Sequence, residues 1–305
     1  MSGDARGAIK DYKRALGIDS LCWQAWYGLA TEEHKRLAFE DAKFAYDESI
    51  RLNPGFTMGF IGRGRLLIDI GAYPPALANL AQAREREPEY APIYEMMAEA
   101  YLELDMHSDV IEQIDIAVKL DPELEKSFFY RGEAYYAMER YGDADADYAR
   151  AIKLNKRFEE AWYKRGRCHD LQGDLKGAKK YYTKAIKQEL VKGEYYVSRA
   201  ELLVKMEKAK KAISDYSKAI PLLDDTEDLL LERGFLYVGE EDYQSALSDF
   251  GEVTKKNPDR AEAWYGLGLA KYQEGSVNVA CKDWHRALRL GDERAADEIA
   301  KYCRE

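Results

Sequence analysis

The residues best suited to chemistry are four cysteines and four histidines, and their spacing argues against a metal site. Cys22, Cys168, Cys281 and Cys303 include no C-x-x-C pair, and the histidines at 34, 107, 169 and 285 are scattered. Zinc sites need ligands at short, regular spacings, so the sequence favours no metal. No glycine-rich phosphate loop, H-E-x-x-H or G-x-S-x-G motif is present. We therefore expect no catalytic residue, no cofactor and no enzymatic activity.

A second set of chemically capable residues consists of arginines and acidic or amide residues that recur together. The arginines are Arg63, Arg131, Arg165, Arg199 and Arg233, and their counterparts are Asp11, Asn79, Asp147, Asp215, Asp249 and Asp283. One interpretation is a ladder that binds anions. We favour another, in which each guanidinium pairs with an aspartate of its own or the preceding unit, because a charge beside a core needs a partner.

A pattern that repeats every 34 residues positions these side chains. In each unit a small residue is followed four residues later by a bulky or aromatic residue, and three residues after that by another small one. The first small residues are Ala8, Ala42, Ala76, Val110, Ala144, Ala178, Ala212, Ala246 and Ala280. Spacings of four and three place these side chains on one face of a helix, which we name helix B.

A second helix, named helix A, precedes helix B in each complete unit. It carries a bulky anchor followed four residues later by alanine or glycine, as in Trp26 with Ala30 and Trp264 with Gly268. Segments such as Asn257-Pro258 separate the units, since proline cannot continue a helix. The pattern predicts an all-α chain of tandem helix pairs.

This unit resembles the tetratricopeptide repeat family. The stretch that includes Trp264, Gly268, Ala280 and Trp284 reads almost as the family signature, and the resemblance covers nearly the whole chain. It implies a right-handed α-solenoid of helix-turn-helix repeats with a C-terminal capping helix. We predict a partial repeat with helix B only at residues 1–22, eight tandem 34-residue repeats at 23–291 and the capping helix at 292–305.

The two ends invite separate interpretations. The missing first helix A reflects either a boundary inside a longer protein or a bare face that packs on another domain or subunit. At the other end, the segment from Cys281 to Cys303 resembles the closing segment of many bacterial proteins of this family. Antiparallel packing would bring the start of the last helix B close to the end of the capping helix, so we predict that these two cysteines can form a disulfide.

Helix A residues outside the anchor positions would line the inner, concave surface if the family geometry holds. Aromatic side chains suit such a surface, since few rotatable bonds are frozen on binding. The candidate peptide-binding residues are Tyr27, Arg65, Glu99, Phe129, Glu133, Tyr136, Tyr163, Arg167, Asp170, Glu201, Phe235, Tyr265 and Tyr272. Acidic residues outnumber basic ones on the helix A surface as a whole, so we expect a neutral or basic partner.

Composition limits the partners and the compartment. The net charge is −10 with no basic stripe, which argues against nucleic acid, and no apolar stretch is long enough to span a membrane. We expect a scaffold that binds an extended peptide or partner segment in its groove; the alternative is a regulatory or substrate-recruiting region of a larger enzyme. Self-association through the open N-terminal face is a third interpretation. Cytoplasm is the default compartment, and a disulfide would indicate an exported, periplasmic location.

Overall fold

The chain is built of α-helices joined by short turns. In a computed structural model that describes residues 2–303, with side chains from residue 6, all regular elements are helical and no strand occurs within that range. The prediction of an all-α fold of tandem helix pairs is confirmed. Met1, Arg304 and Glu305 belong to the predicted end segments 1–22 and 292–305 but lie outside the described residues.

The chain divides into two compact units, residues 1–156 and residues 157–305, and each is described by itself. The helices of the first unit are α1 (Ser2–Ile18), α2 (Trp23–Lys35), α3 (Phe39–Leu52), α4 (Thr57–Asp69), α5 (Tyr73–Arg86), α6 (Ala91–Leu102), α7 (His107–Leu120), α8 (Glu125–Ala137) and α9 (Tyr141–Leu154). From α2 onward, even-numbered helices are helix A of a repeat and odd-numbered helices are helix B. Each helix A packs most extensively on the helix B that follows it.

The second unit continues the same alternation of helix A and helix B. Its helices are α10 (Glu159–Leu171), α11 (Leu175–Ile186), α12 (Gly193–Lys205), α13 (Ala209–Ala219), α14 (Glu227–Gly239), α15 (Tyr243–Lys256), α16 (Ala261–Gln273), α17 (Val277–Arg289) and α18 (Arg294–Tyr302), and a short 3-10 turn occupies Ile220–Leu222. Here α10 pairs with α11, α12 with α13, α14 with α15 and α16 with α17, while α18 packs on α17.

Small residues let the two helices of a repeat approach closely. Ala144 in α9 is fully buried, and a Cβ atom at Gly132 in α8 would lie only 2.7 Å from Cε1 of Tyr148. The ring of Tyr148 is itself fully buried at this contact. The helix A position therefore has no room for a side chain, and the adjacent aromatic ring fills the space between the backbones.

The turn between helix A and helix B contains a left-handed residue at the same position of every repeat. This residue has φ of +61° at Leu37, +75° at Gly71 and +59° at Glu139. The same position is left-handed in the other repeats, at Asp105, Gly173, Glu207, Glu241 and Gly275. Glycine adopts this conformation without the Cβ clash that an L-residue meets, so the non-glycine turns are strained.

The final helix covers the last repeat. Helix α18 begins at Arg294, and the Asp292 carboxylate accepts a hydrogen bond from its first backbone N–H at 3.2 Å. Ala295 is fully buried and belongs to one cluster with Trp284 and Ala287. The described helix ends at Tyr302, so its apolar side packs against α17 over about two turns.

Candidate peptide-binding groove

The inner side of each unit is the side on which the helices A lie. In the first unit α2 contacts α4, α4 contacts α6 and α6 contacts α8, and in the second unit α14 contacts α16. Among the described residues, no two helices B contact each other to a comparable extent. We call the surface formed by the helices A of each unit its groove.

In the first unit, two of the predicted groove residues bind each other. Nη1 and Nη2 of Arg65 in α4 donate to the Glu99 carboxylate in α6 at 2.6 and 3.0 Å. Nε of Arg65 also donates to Asp69 at 2.9 Å, and Asp69 lies 2.9 Å from Nε2 of His34. Partial burial would raise the pKa of Asp69, but the bonds from Arg65 and His34 lower it below its ordinary value. A ligand at Arg65 or Glu99 would therefore compete with an existing ion pair.

Two predicted aromatic residues of the first unit are held against other rings. The Tyr27 ring centroid lies 4.9 Å from that of Phe56, in an edge-on arrangement. Tyr136 packs edge-on against Tyr141 at 5.5 Å. Both remain partly exposed. A neighbouring ring therefore holds each of these two side chains in place.

Phe129 lies deeper than the sequence suggested, and Glu133 has a hydrogen-bond partner in helix B. Phe129 is only 8% exposed, and its ring packs on Tyr148 at a centroid distance of 5.7 Å. Glu133 accepts a hydrogen bond from the Tyr148 hydroxyl. Phe129 therefore contributes mainly to packing, because the Tyr148 ring of helix B covers it.

In the second unit, Tyr163 is likewise a packed residue with only 8% exposure. Its ring stacks on Tyr195 at 4.6 Å, and its hydroxyl lies 3.1 Å from Oγ of Ser198. Nη1 of Arg167 donates to the same hydroxyl at 3.3 Å. Asp170 pairs with Lys205 at 3.0 Å. These contacts tie α10 to α12 and leave little of the Tyr163 ring for a ligand.

The remaining aromatic candidates lie near the end of the chain. The rings of Phe235 and Tyr265 are 6.4 Å apart, and the Arg294 guanidinium lies 4.5 Å over the Tyr265 ring. Tyr272 contacts Tyr302 of α18 at 4.2 Å. Phe235 and Tyr265 are therefore half-exposed groove residues, whereas Tyr272 packs against the final helix.

The second unit's groove contains a pocket of about 540 Å³, which we call the open pocket. Two of the candidate peptide-binding residues named above line it, Glu201 and Phe235. The other lining residues are Val204, Tyr216, Asp228, Leu229, Leu231, Glu232, Arg260, Glu262 and Arg294. Asp228 and Glu262 flank Arg260 at 2.7 and 3.0 Å. The pocket thus combines an apolar floor with four carboxylates and two guanidinium groups.

The family assignment follows from the helix pairs and from a family comparison. A family model described as "Tetratricopeptide repeat" matches residues 131–190 and 231–298. Both matched segments consist of the helix A and helix B units described above. Residues 131–190 and 231–298 are therefore tetratricopeptide repeats, and the helix pairs outside these segments follow the same 34-residue pattern. Tandem repeats of this family form protein–protein interaction scaffolds.

Solved structures of tetratricopeptide repeat proteins share the fold. The crystal structure of YrrB aligns over 62% of this chain and 97% of YrrB, with a TM-score of 0.57 and 22% identity. PilW, a type IV pilus biogenesis factor, aligns over 68% of this chain and 98% of PilW, with a TM-score of 0.62 and 17% identity. A tetratricopeptide repeat protein from Parabacteroides merdae aligns over 92% of this chain and 98% of that protein, with a TM-score of 0.57 and 16% identity. No curated protein sequence matches the chain.

Arginine–aspartate pairs connect neighbouring tetratricopeptide repeats behind the groove. Nε and Nη2 of Arg131 donate to Asp147 of the same repeat at 2.7 Å each, and Nη1 donates to Asp115 of the preceding repeat at 2.6 Å. Arg199 binds Asp215 in the same two-pronged way at 2.7 Å. The predicted pairing of each arginine within its own or the preceding repeat is confirmed at these positions.

Arg233 and Arg63 follow the same geometry, whereas the Arg165 guanidinium lies 4.3 Å from the centroid of the Tyr181 ring, which stands at the aspartate position. Arg233 binds Asp249 at 2.8 and 2.7 Å, whereas Arg63 binds Asn79 at 2.7 Å and Asp47 at 2.6 Å. In the last repeat, Asp283 has no such arginine and accepts instead from Nζ of Lys271 at 2.6 Å. Lys271, which stands where the family usually has an aromatic residue, therefore supplies the cation that the missing arginine would have provided.

The C-terminal repeat brings the predicted cysteine pair together. The Cα atoms of Cys281 in α17 and Cys303 after α18 lie 5.7 Å apart, and their Sγ atoms are at bonding distance. This separation lies within the range for disulfides. Cys168 is fully buried and Cys22 is partly exposed, and neither is close to a second cysteine in the described residues.

Neither a metal cluster nor a membrane-spanning helix occurs in the described part of the chain. Among the side chains of residues 6–303, no group of three or more histidines, cysteines, aspartates or glutamates is arranged to hold a metal ion. None of the helices in that range combines the length and apolar character that crossing a bilayer requires.

Proposed function

We propose that this protein binds an extended segment of another polypeptide in its groove. The observation that carries the proposal is the open pocket of the second unit, where Phe235 is half-exposed beside Tyr265. Rigid aromatic side chains next to charged groups suit peptide contact because little entropy is lost when they are covered. Solenoids of stacked helix pairs use such inner surfaces for binding. The YrrB structure, which shares this fold, is described as that of a protein with an unusual peptide-binding site.

Charge supports a neutral or basic partner. The chain carries a net charge of −10, and the open pocket has four carboxylates against two guanidinium groups. Complementary charge speeds encounter and disfavours acidic competitors. Association should therefore weaken as ionic strength rises.

A photo-crosslinking amino acid placed at one groove position and one outer position tests this proposal. Benzoylphenylalanine replaces Tyr265, which lies in the groove, or Leu288, which is 38% exposed on the helix B side in α17. The proposal expects polypeptide adducts in native cells at Tyr265 and few at Leu288. Adducts only at Leu288, with unchanged circular dichroism for both variants, would move binding to the outer surface.

Self-association and location are separate proposals with their own tests. Ile18 is 84% exposed and Leu21 is 66% exposed near the first helix, which gives two copies apolar surface to share. Light scattering over a concentration series should then show mass rising with concentration, and a constant monomer mass would exclude it. Non-reducing peptide mapping of native protein tests location, since a Cys281–Cys303 cystine indicates an oxidising compartment.

A further inference from the structure

The open pocket of the second unit is lined by a buried tyrosine whose hydroxyl has no partner in the described part of the chain. Tyr216 in α13 is only 2% exposed and lines the pocket. No hydrogen bond joins its hydroxyl to any part of the chain that the structure describes. Packing therefore holds the Tyr216 ring in place, while its hydroxyl keeps contact with solvent and can bond to a group that enters the pocket.

In two other repeats the hydroxyl of the equivalent tyrosine has a hydrogen-bond partner. Tyr148 donates to Glu133, which lies 15 residues earlier, and Tyr182 donates to Asp170 at 3.4 Å. Glu201 lies 15 residues before Tyr216, yet no bond forms between them. Both Glu201 and Tyr216 therefore keep hydrogen-bonding capacity directed at the pocket that they line.

The two remaining charges of the pocket are both negative. Asp228 and Glu262 are occupied by Arg260, and Arg294 binds Asp292 at 2.6 Å. Glu201 and Glu232 form no ion pair within 4.0 Å in the described part of the chain. Burial and nearby carboxylates, Glu232 among them, raise the pKa of Glu201, although Lys205 and Arg167 partly oppose this. A cation between the two carboxylates would remove this repulsion.

The floor of the pocket is apolar. Leu231 is 5% exposed, and Val204, Leu229 and the ring of Phe235 complete the wall. Such a wall suits the methylene stem of a long basic side chain, which buries its carbons while its charged end reaches a polar group. An aromatic face next to the charged end adds a favourable cation–π contact.

We propose that this pocket recognises a lysine or arginine side chain of the polypeptide bound in the groove. Its charged end lies between Glu201 and Glu232, its stem packs on Leu231 and Phe235, and the Tyr216 hydroxyl accepts a hydrogen bond from it. The inference rests on the proposed function, because it assigns one anchor residue of the same guest. It makes the second unit's groove selective for segments with a basic residue.

The test is a selection of random twelve-residue peptides displayed on phage against the full-length chain, followed by affinity measurements on the enriched peptides. Enriched peptides should share a lysine or arginine, and the double change Glu201→Gln with Glu232→Gln should weaken binding on the order of tenfold or more. Tyr216→Phe should weaken it several-fold, since one hydrogen bond is lost. Glu252→Gln, which removes an exposed carboxylate from helix α15, should leave affinity unchanged.

A cycle of changes separates this inference from the proposed function. Replacing the shared basic residue with norleucine should weaken binding to the unaltered protein but not to the double glutamine variant. Two results would contradict the assigned pocket while leaving groove binding intact. In both, Tyr265→Ala abolishes binding, but the peptides either lack a basic residue or bind the double glutamine variant as tightly as the unaltered protein. Failure to enrich any peptide sensitive to Tyr265→Ala would overturn both.

Discussion

Replacing Asp215 with alanine measures how strongly the arginine–aspartate pairs hold the repeats together. Arg199 donates two hydrogen bonds of 2.7 Å to this carboxylate. The side chains are 15% exposed for Arg199 and 4% exposed for Asp215. After the change, the only bond of this guanidinium among those described is to Oγ1 of Thr183 at 3.0 Å. A largely buried cation would then lack its counter-ion.

The expected loss of unfolding free energy is about 2–4 kcal/mol, because two charge-assisted bonds disappear and an unpaired charge stays mostly buried. Urea denaturation followed by far-ultraviolet circular dichroism measures this loss. Hydrogen exchange locates it, and the reasoning expects faster exchange mainly in α12 and α13, since stability in repeat arrays is local.

A matched control separates this pair from ordinary surface ion pairs. Asp143 pairs with Arg140 at 2.8 Å, but the two side chains are 53% and 49% exposed. Asp143→Ala should cost less than about 1 kcal/mol because water screens an exposed pair. Equal effects of Asp215→Ala and Asp143→Ala, or no effect of either, would refute the argument from burial.

Three other changes test the repeat geometry. Leu37→Gly should raise the unfolding free energy by up to about 1 kcal/mol in thermal denaturation, because the turn residue has φ of +61° and its side chain is 71% exposed. Ala144→Trp should lower it by about 1–3 kcal/mol or more, since the fully buried site has no space for an indole. Cys281→Ser should lower it by about 3 kcal/mol in oxidised protein, because opening the cross-link to Cys303 frees a loop of 22 residues.

Each of these changes has a control on the same chain. Gly71→Leu places a side chain at an equivalent left-handed turn with φ of +75° and should destabilise where Leu37→Gly stabilises. Ala146→Trp lies on the exposed side of α9 and should be nearly neutral. Reduction of the unaltered protein should reproduce the effect of Cys281→Ser. The turn assignment would be contradicted if Leu37→Gly lowered the unfolding free energy and Gly71→Leu raised it. An unchanged unfolding free energy in Ala144→Trp would contradict the interior assignment, and one that does not change on reduction would contradict the disulfide.

The helix pairs could be predicted from the sequence because their packing leaves a regular trace. Ala144 must be small and Tyr148 must be large for two backbones to approach, and this requirement recurs every 34 residues. The partners of the arginines were also predictable, since a charge beside the core needs a counter-ion. A capping helix is predicted within residues 292–305, and α18 occupies Arg294–Tyr302.

Burial within the groove was harder to predict. Phe129 and Tyr163 lie at helix A positions that should face the groove. Rings from neighbouring helices pack over them, and each of the two residues is only 8% exposed. A simultaneous change at these residues would disturb packing as well as contact. Helical periodicity gives the direction in which a side chain points but not how far neighbouring side chains cover it. It therefore could not distinguish the half-exposed Tyr265 from the buried rings of Phe129 and Tyr163.

The pocket around Tyr216 was missed because this residue belongs to helix B. A signal was nonetheless present in the spacing. A Cβ atom at Gly62 would overlap the Tyr46 ring, and one at Gly266 would overlap the Phe250 ring. In both pairs the glycine follows the aromatic residue by 16 positions. The residue 16 positions after Tyr216 is Glu232. The rings of helix B thus contact helix A of the next repeat. The periodicity of a single helix does not reveal this contact, because it joins two helices.

Hydrogen–deuterium exchange of the full chain, with and without an enriched peptide, tests the central claim that the helix A surface holds the guest. Binding in the groove should slow exchange in the even-numbered helices α12, α14 and α16. Little change should occur in α11, α15 and the exposed turns of the helix B side. Protection confined to the odd-numbered helices, or no protection under saturating peptide, would contradict the account.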